Sequence, residues 1–150
     1  MIITYPNKLL RQKSQPVTAD EIESGETKKI IAEMRKELKK SGGVGLAAVQ
    51  IGVPKQIILV EVDNDIHAFI NTKITKRSWK KISIEEGCLS VPGVNGYVKR
   101  SAVLKLEALD ENGRELELEA QGYTAIIFQH EIDHTNGILF IDKLMKRQPK

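Results

Sequence analysis

The run His130-Glu131-Ile132-Asp133-His134 constrains this chain more than any other stretch. On a helix, side chains four residues apart lie one above the other, so both imidazoles can face a single metal ion. Glu131, next to a ligand but not needed as one, is placed to handle the proton of a metal-bound water. Two histidines leave such a site one protein ligand short of the usual catalytic three plus a solvent position. The only cysteine, Cys88, stands in Glu86-Gly87-Cys88-Leu89-Ser90, where the flanking glycine frees the backbone to present a thiolate. The first reading is a metal hydrolase with a Cys-His-His site. The competing reading is an amphipathic helix with two histidines on its polar face and a cysteine acting as a small buried apolar side chain.

The rest of the composition sets the context. At 150 residues the chain fits one domain, residues 1–150, around a single core. No apolar run approaches a membrane span, and Met1-Ile2-Ile3-Thr4-Tyr5-Pro6 lacks the layout of a secretory signal. A lone cysteine makes no internal disulfide, and a thiolate ligand survives best in a reducing cytosol, so a cytoplasmic protein is expected. The net charge is +3, with lysines gathered at Lys28-Lys29, Lys36, Lys39-Lys40, Lys76-Arg77, Lys80-Lys81 and the tail Lys143, Lys146, Arg147, Lys150. A solvated face is the default for such runs. No aromatic-interleaved basic patch argues for direct nucleic-acid recognition.

Periodicity predicts a helix over about residues 19–40, with Ile30, Ile31, Met34 and Leu38 on one stripe, a capping pattern at Thr18-Ala19-Asp20-Glu21, and Gly25 delaying the regular turns. Strands are expected at 56–62 and 68–71, and a hairpin pairs 103–108 with 115–120, its leucines alternating with charged residues. The metal helix should start near Gly122-Tyr123 and stop at Asn136-Gly137. Together these give an α+β fold, with mixed or antiparallel sheets packed around the C-terminal HExxH helix and a helix near the N-terminus. His67 receives no role.

Three blocks in order, Gly43-Val44-Gly45-Leu46-Ala47-Ala48-Val49-Gln50, Glu86 to Ser90 and His130 to His134, resemble the signature blocks of the peptide deformylases. The resemblance runs from the helix before Gly43 to Leu139-Phe140-Ile141-Asp142. It implies a hydrolase that removes the formyl group from N-formylmethionyl nascent peptides, releasing formate and a free amine. Cys88, His130 and His134 would hold one divalent metal, with Glu131 as general base and then acid. The side-chain amide of Gln50 and the backbone N–H of Leu89 would steady the oxyanion. One thiolate with two imidazoles suits Fe(II), Zn(II), Ni(II) or Co(II), and affinity does not decide among them; the resemblance implies Fe(II), with zinc commonly found instead.

A pocket for the methionine side chain would draw on Val44, Ile126 and the flank of His130. Gly43 and Gly45 would let the backbone approach a substrate that adds to a sheet edge as a strand. Arg100 and Asp133 are expected to pair, either to steady the helix or orient a ligand, or as an ordinary surface ion pair. Glu86 is expected to brace the Cys88 loop.

The chain departs from the common family pattern in places. Val49 stands where a proline is frequent, Gly93 to Tyr97 lacks an arginine that some members carry, and only a short basic tail follows Met145. Docking on the ribosome through a C-terminal helix is therefore not carried over, which leaves a loose electrostatic bias toward the ribosome. A zincin protease would need a third ligand after His134, where only Asp142 is available. A silent binder would have lost Glu131, Gln50 or Cys88. A structural metal module would close its site with four protein ligands.

Overall fold

A computed structural model describes residues 1–149, so Lys150 of the basic tail lies outside the described residues. The expected long N-terminal helix is divided in two. Thr18 caps α1 (Ala19–Glu23), its Oγ1 accepting from Glu21 N–H at 3.2 Å while the Glu21 carboxylate reaches back to Thr18. Gly25, at φ +84°, then turns the chain into α2 (Glu26–Ser41). That left-handed step needs a residue without Cβ, which is why the break falls there. Ile31, Met34 and Leu38 form the buried stripe of α2, as their spacing predicts.

Five antiparallel strands make the main sheet: β1 (Gly45–Ala47), β2 (Ile57–Val62), β3 (Asp65–Arg77), β6 (Val103–Leu109) and β7 (Glu115–Gln121), in the order β1-β2-β3-β6-β7. Strand β3 is longer than its sequence suggested. Its first half pairs with β2 and its second with β6, across irregularities between Ile70 and Lys76. His67 lies in the half that pairs with β2 alone, and it is exposed. The β6–β7 hairpin sets Leu106 opposite Leu118 and Leu104 opposite Ala120, and Asp110 Oδ1 closes its turn by accepting from Asn112 and Arg114.

The second sheet is a hairpin of β4 (Lys81–Cys88) and β5 (Val91–Ser101), and no strand was assigned to it from sequence. Ile82 and Ile84 alternate with polar residues, but the glycines of the following stretch interrupt the pattern.

Strand β2 explains the layering. Ile58 and Val60 point into a core with Phe69, Leu104, Leu106 and Phe128, whereas Ile57 and Leu59 point into another with Ile31, Met34 and Leu38. Both of its faces are covered, by α3 (Tyr123–Thr135) on one side and α2 on the other, hence the unbroken apolar run. Helix α3 is buried along Ala125 to Thr135, with the Phe69 and Phe128 rings edge-to-face at 4.9 Å. A polar helix segment so enclosed has to satisfy its charges internally. A smaller core of Leu10, Val91, Val98, Leu139 and Phe140 ties the β4–β5 hairpin to both ends of the chain. No helix among the described residues is long and apolar enough to cross a membrane.

Candidate metal centre

Cys88 ends β4 at a register irregularity, which turns its side chain out of the hairpin toward α3. Its Sγ lies 3.4 Å from His134 Nε2. One donor atom each from Cys88, His130 and His134 falls within 4.8 Å of the others. The N–H at His130 Nδ1 donates to Glu86 Oε1 at 2.9 Å, so Nε2 is the ring nitrogen that can exchange its proton for a cation. The donor set therefore fits one divalent ion, a soft sulfur and two imidazole nitrogens with no fourth protein ligand from His, Cys, Asp or Glu among the described residues.

The electrostatics fit as well. Burial lowers the pKa of His130, but Glu131, Cys88 and Glu86 outweigh it and raise it to about 10. Surroundings that favour a proton on that ring favour a cation in its place, and a metal must displace that proton. His134 is shifted well down, first by burial and then by the charges of His130 and Arg100, so it stands neutral and ready to ligate. Its Nδ1 has no hydrogen-bond partner.

Glu131 is 5% exposed, and its Oε1 makes no hydrogen bond. Burial dominates its raised pKa of about 7, with Glu86 and Asp133 adding to the rise and His130 and Arg100 opposing it. A carboxyl group poised near neutrality suits proton transfer in both directions. Gly45 makes room for it: a Cβ there would lie 2.6 Å from Glu131 Oε2 and 2.9 Å from Ile127 Cγ2.

Gln50 is 2% exposed and held in one orientation. Ala47 N–H can only donate, and it meets Gln50 Oε1 at 2.9 Å, so Nε2 faces the other way, 3.0 Å from Ser90 Oγ and 3.7 Å from Cys88 Sγ. Leu89 occupies the turn between β4 and β5. A cleft of about 290 Å³ is lined by Val44, Gly45, Leu89, Ile126, His130 and Glu131, among others. The expected pocket residues thus lie together beside Cys88 and His130.

Of the two readings of the Arg100–Asp133 pair, the surface one does not hold. Arg100 is 3% exposed, so its pair with Asp133, at 2.6 Å, is no surface ion pair. Arg100 also grips Glu86 through two bonds of 2.9 Å. Glu86 in turn holds His130, so it steadies a ligand across the site as well as the end of β4. Burial raises the Glu86 pKa, yet Arg100 and His130 more than reverse this and leave it lowered.

Three further residues at the site were missed from sequence. Lys143 caps the chain of charges on Asp133 at 3.0 Å, Ser90 receives the Gln50 amide, and Tyr123 lines the cleft. Ser90 lay inside a quoted block, but nothing local marks Lys143 or Tyr123.

An open cation site with a buried carboxylate beside it places the protein among the metal-dependent amide hydrolases. Comparison with known proteins narrows the class. The family model described as polypeptide deformylase matches residues 1–150. The peptide deformylase of Syntrophomonas wolfei is 43% identical over 145 residues, which cover 97% of this chain and 93% of that protein. Among solved structures, a Plasmodium falciparum peptide deformylase in complex with an inhibitor superposes with a TM-score of 0.89 at 36% identity, covering 97% of this chain and 90% of the other. A class I type b peptide deformylase from Acinetobacter baumannii, bound to Met-Ala-Ser, gives 0.93 at 31% identity, covering 96% and 97%. The chain belongs to the polypeptide deformylase family, metal-dependent hydrolases that remove the N-terminal formyl group from peptides.

Proposed function

We propose that residues 1–150 act as one catalytic domain on N-formylmethionyl nascent peptides in the cytoplasm, with Fe(II) held by Cys88, His130 and His134. When bound, the divalent cation supplies Lewis acidity, acidifying water and polarising the formyl carbonyl. Glu131, whose buried Oε1 makes no hydrogen bond, accepts a proton from the attacking water and later delivers it to the departing amine nitrogen. The C–N bond breaks, and formate and a free N-terminal amine leave. Gln50 Nε2 and Leu89 N–H donate to the oxygen on which negative charge develops.

Val44, Gly45 and Ile126 receive the methionine side chain in the cleft. The peptide backbone adds as a strand between β1 and β4, two end strands that each have one edge free of strand partners and both line the cleft. The observation that carries this reading is the buried, unpartnered Glu131 carboxylate beside three donors within 4.8 Å.

Formate release from formyl-Met-Ala-Ser, measured together with metal analysis of anaerobically purified protein, tests it. Glu131→Gln should retain metal and lose roughly 100- to 10,000-fold in turnover. Wild-type turnover in that variant overturns the role of Glu131, and zinc as the sole metal in anaerobic protein overturns Fe(II).

A further inference from the structure

The connection between β3 and β4 holds the chain's only tryptophan, Trp79, at 99% exposure. The turn beneath it is pinned. Ser78 N–H donates to Val103 O at 2.9 Å, Val103 N–H to Ser78 Oγ at 3.0 Å, Ala102 N–H to Lys80 O at 3.0 Å, and Ser78 Oγ to Lys80 O at 2.8 Å. The indole is thus held out into solvent by an ordered backbone, so little ordering remains to be done when something binds it.

Cations adjoin Trp79 along the chain. Lys76, Arg77, Lys80 and Lys81 flank it, and no Asp or Glu occurs from residue 66 to 84. Lys105 of β6 stands directly opposite Lys76, a like-charge pairing that weakens a sheet, with Glu119 on its other side in β7. None of these five cations forms an ion pair among the described residues. The run is a solvated face by its charges alone, and the aromatic ring within it adds a stacking surface.

We propose that Trp79 and the surrounding Lys76, Lys80, Lys81 and Lys105 form a docking site for single-stranded RNA. The indole stacks on a base and the lysines neutralise phosphates. Stacking of this kind tolerates any base, so no readout of base edges is needed. A lipid surface fits less well. The other exposed large apolar side chains, Met1, Tyr5, Val94 and Tyr123, lie outside this connection, and insertion into a bilayer needs more than one ring's apolar area. The choice of RNA over other polyanions rests on the proposed nascent-chain substrate, since RNA is the single-stranded polyanion near a peptide being synthesised. The binding assay does not depend on deformylation, so the two readings fail separately.

As the only indole, Trp79 reports on its own site. A 12-nucleotide oligouridylate should quench its emission saturably, and the affinity should fall roughly 50-fold between 50 and 200 mM salt if four phosphates are neutralised. In anisotropy titrations with labelled oligouridylate, Trp79→Ala should weaken binding about tenfold. The double reversal Lys76→Glu/Lys80→Glu should abolish it, and Lys28→Glu/Lys29→Glu on α2 should leave it unchanged. Formate release from a short formyl peptide should be the same in Trp79→Ala as in wild type. Absence of quenching, equal loss in the α2 variant, or emission that responds to anionic phospholipid vesicles and not to the RNA overturns the proposal.

Discussion

At Gly45 a missing atom decides the chemistry. The carboxylate of Glu131 fills the space that a Cβ would occupy, with Oε2 only 2.6 Å from that position. Gly45→Ala should therefore push Glu131 aside without touching a metal ligand. A shift of that size should cost roughly 100-fold in kcat with metal content unchanged. Formate-release kinetics alongside metal analysis check this, and wild-type kcat would show that the carboxylate has room to spare. The glycine was noticed in sequence as a place for close approach to substrate. That its neighbour is Glu131 follows from β1 lying against α3, which no local pattern contains.

Between elements, the decisive contact is the run of charges buried from His130 through Glu86 and Arg100 to Asp133, which reaches solvent at Lys143. It joins the β4–β5 hairpin to α3 and so holds Cys88 against the histidines. Arg100→Leu would leave two buried carboxylates with only His130 and Lys143 as partners, and removing one partner of a buried pair typically costs about 3–5 kcal/mol. Urea unfolding should show a loss of that size, and a loss below about 1 kcal/mol would mean the pair only orients the site. The pairing of Arg100 with Asp133 was expected from the resemblance. Its burial was not, because burial depends on how the hairpin folds over the helix.

Over the whole molecule, a segment near each terminus closes on the other. The 3-10 turn Lys8–Arg11 meets the turn Phe140–Lys143 through Arg11 and Asp142, with Nη2 donating to Oδ1 at 3.0 Å. The Arg11 guanidinium, chiefly through its hydrogen bond, holds the Asp142 carboxyl below its ordinary value of 3.8. The folded protein then binds fewer protons than the unfolded chain in acid. The contribution is complete above pH 3.8 and is lost as pH falls through the lower folded value. More than a third of each side chain is exposed, so solvent screening limits the pair to about 1 kcal/mol at most. Asp142→Asn should lower Tm by a constant amount from pH 5 to 8, and the gap should close below pH 3.8. A gap that persists in acid would assign the effect to packing.

Features that depend on neighbours a few positions apart were legible in the amino-acid order alone. Glu131 sits between two histidines at helical spacing, Thr18 and Glu21 cap a helix, and the leucines of β6 and β7 alternate. In each case steric period or a short hydrogen bond sets the outcome. Tertiary structure alone decided the rest. Cys88 Sγ meets His134 Nε2 across 46 positions, Glu86 reaches His130 across 44, and the β4–β5 hairpin closes at a register irregularity. The physical reason is that such contacts depend on which faces bury one another, a property of all the packed elements together and of no single stretch.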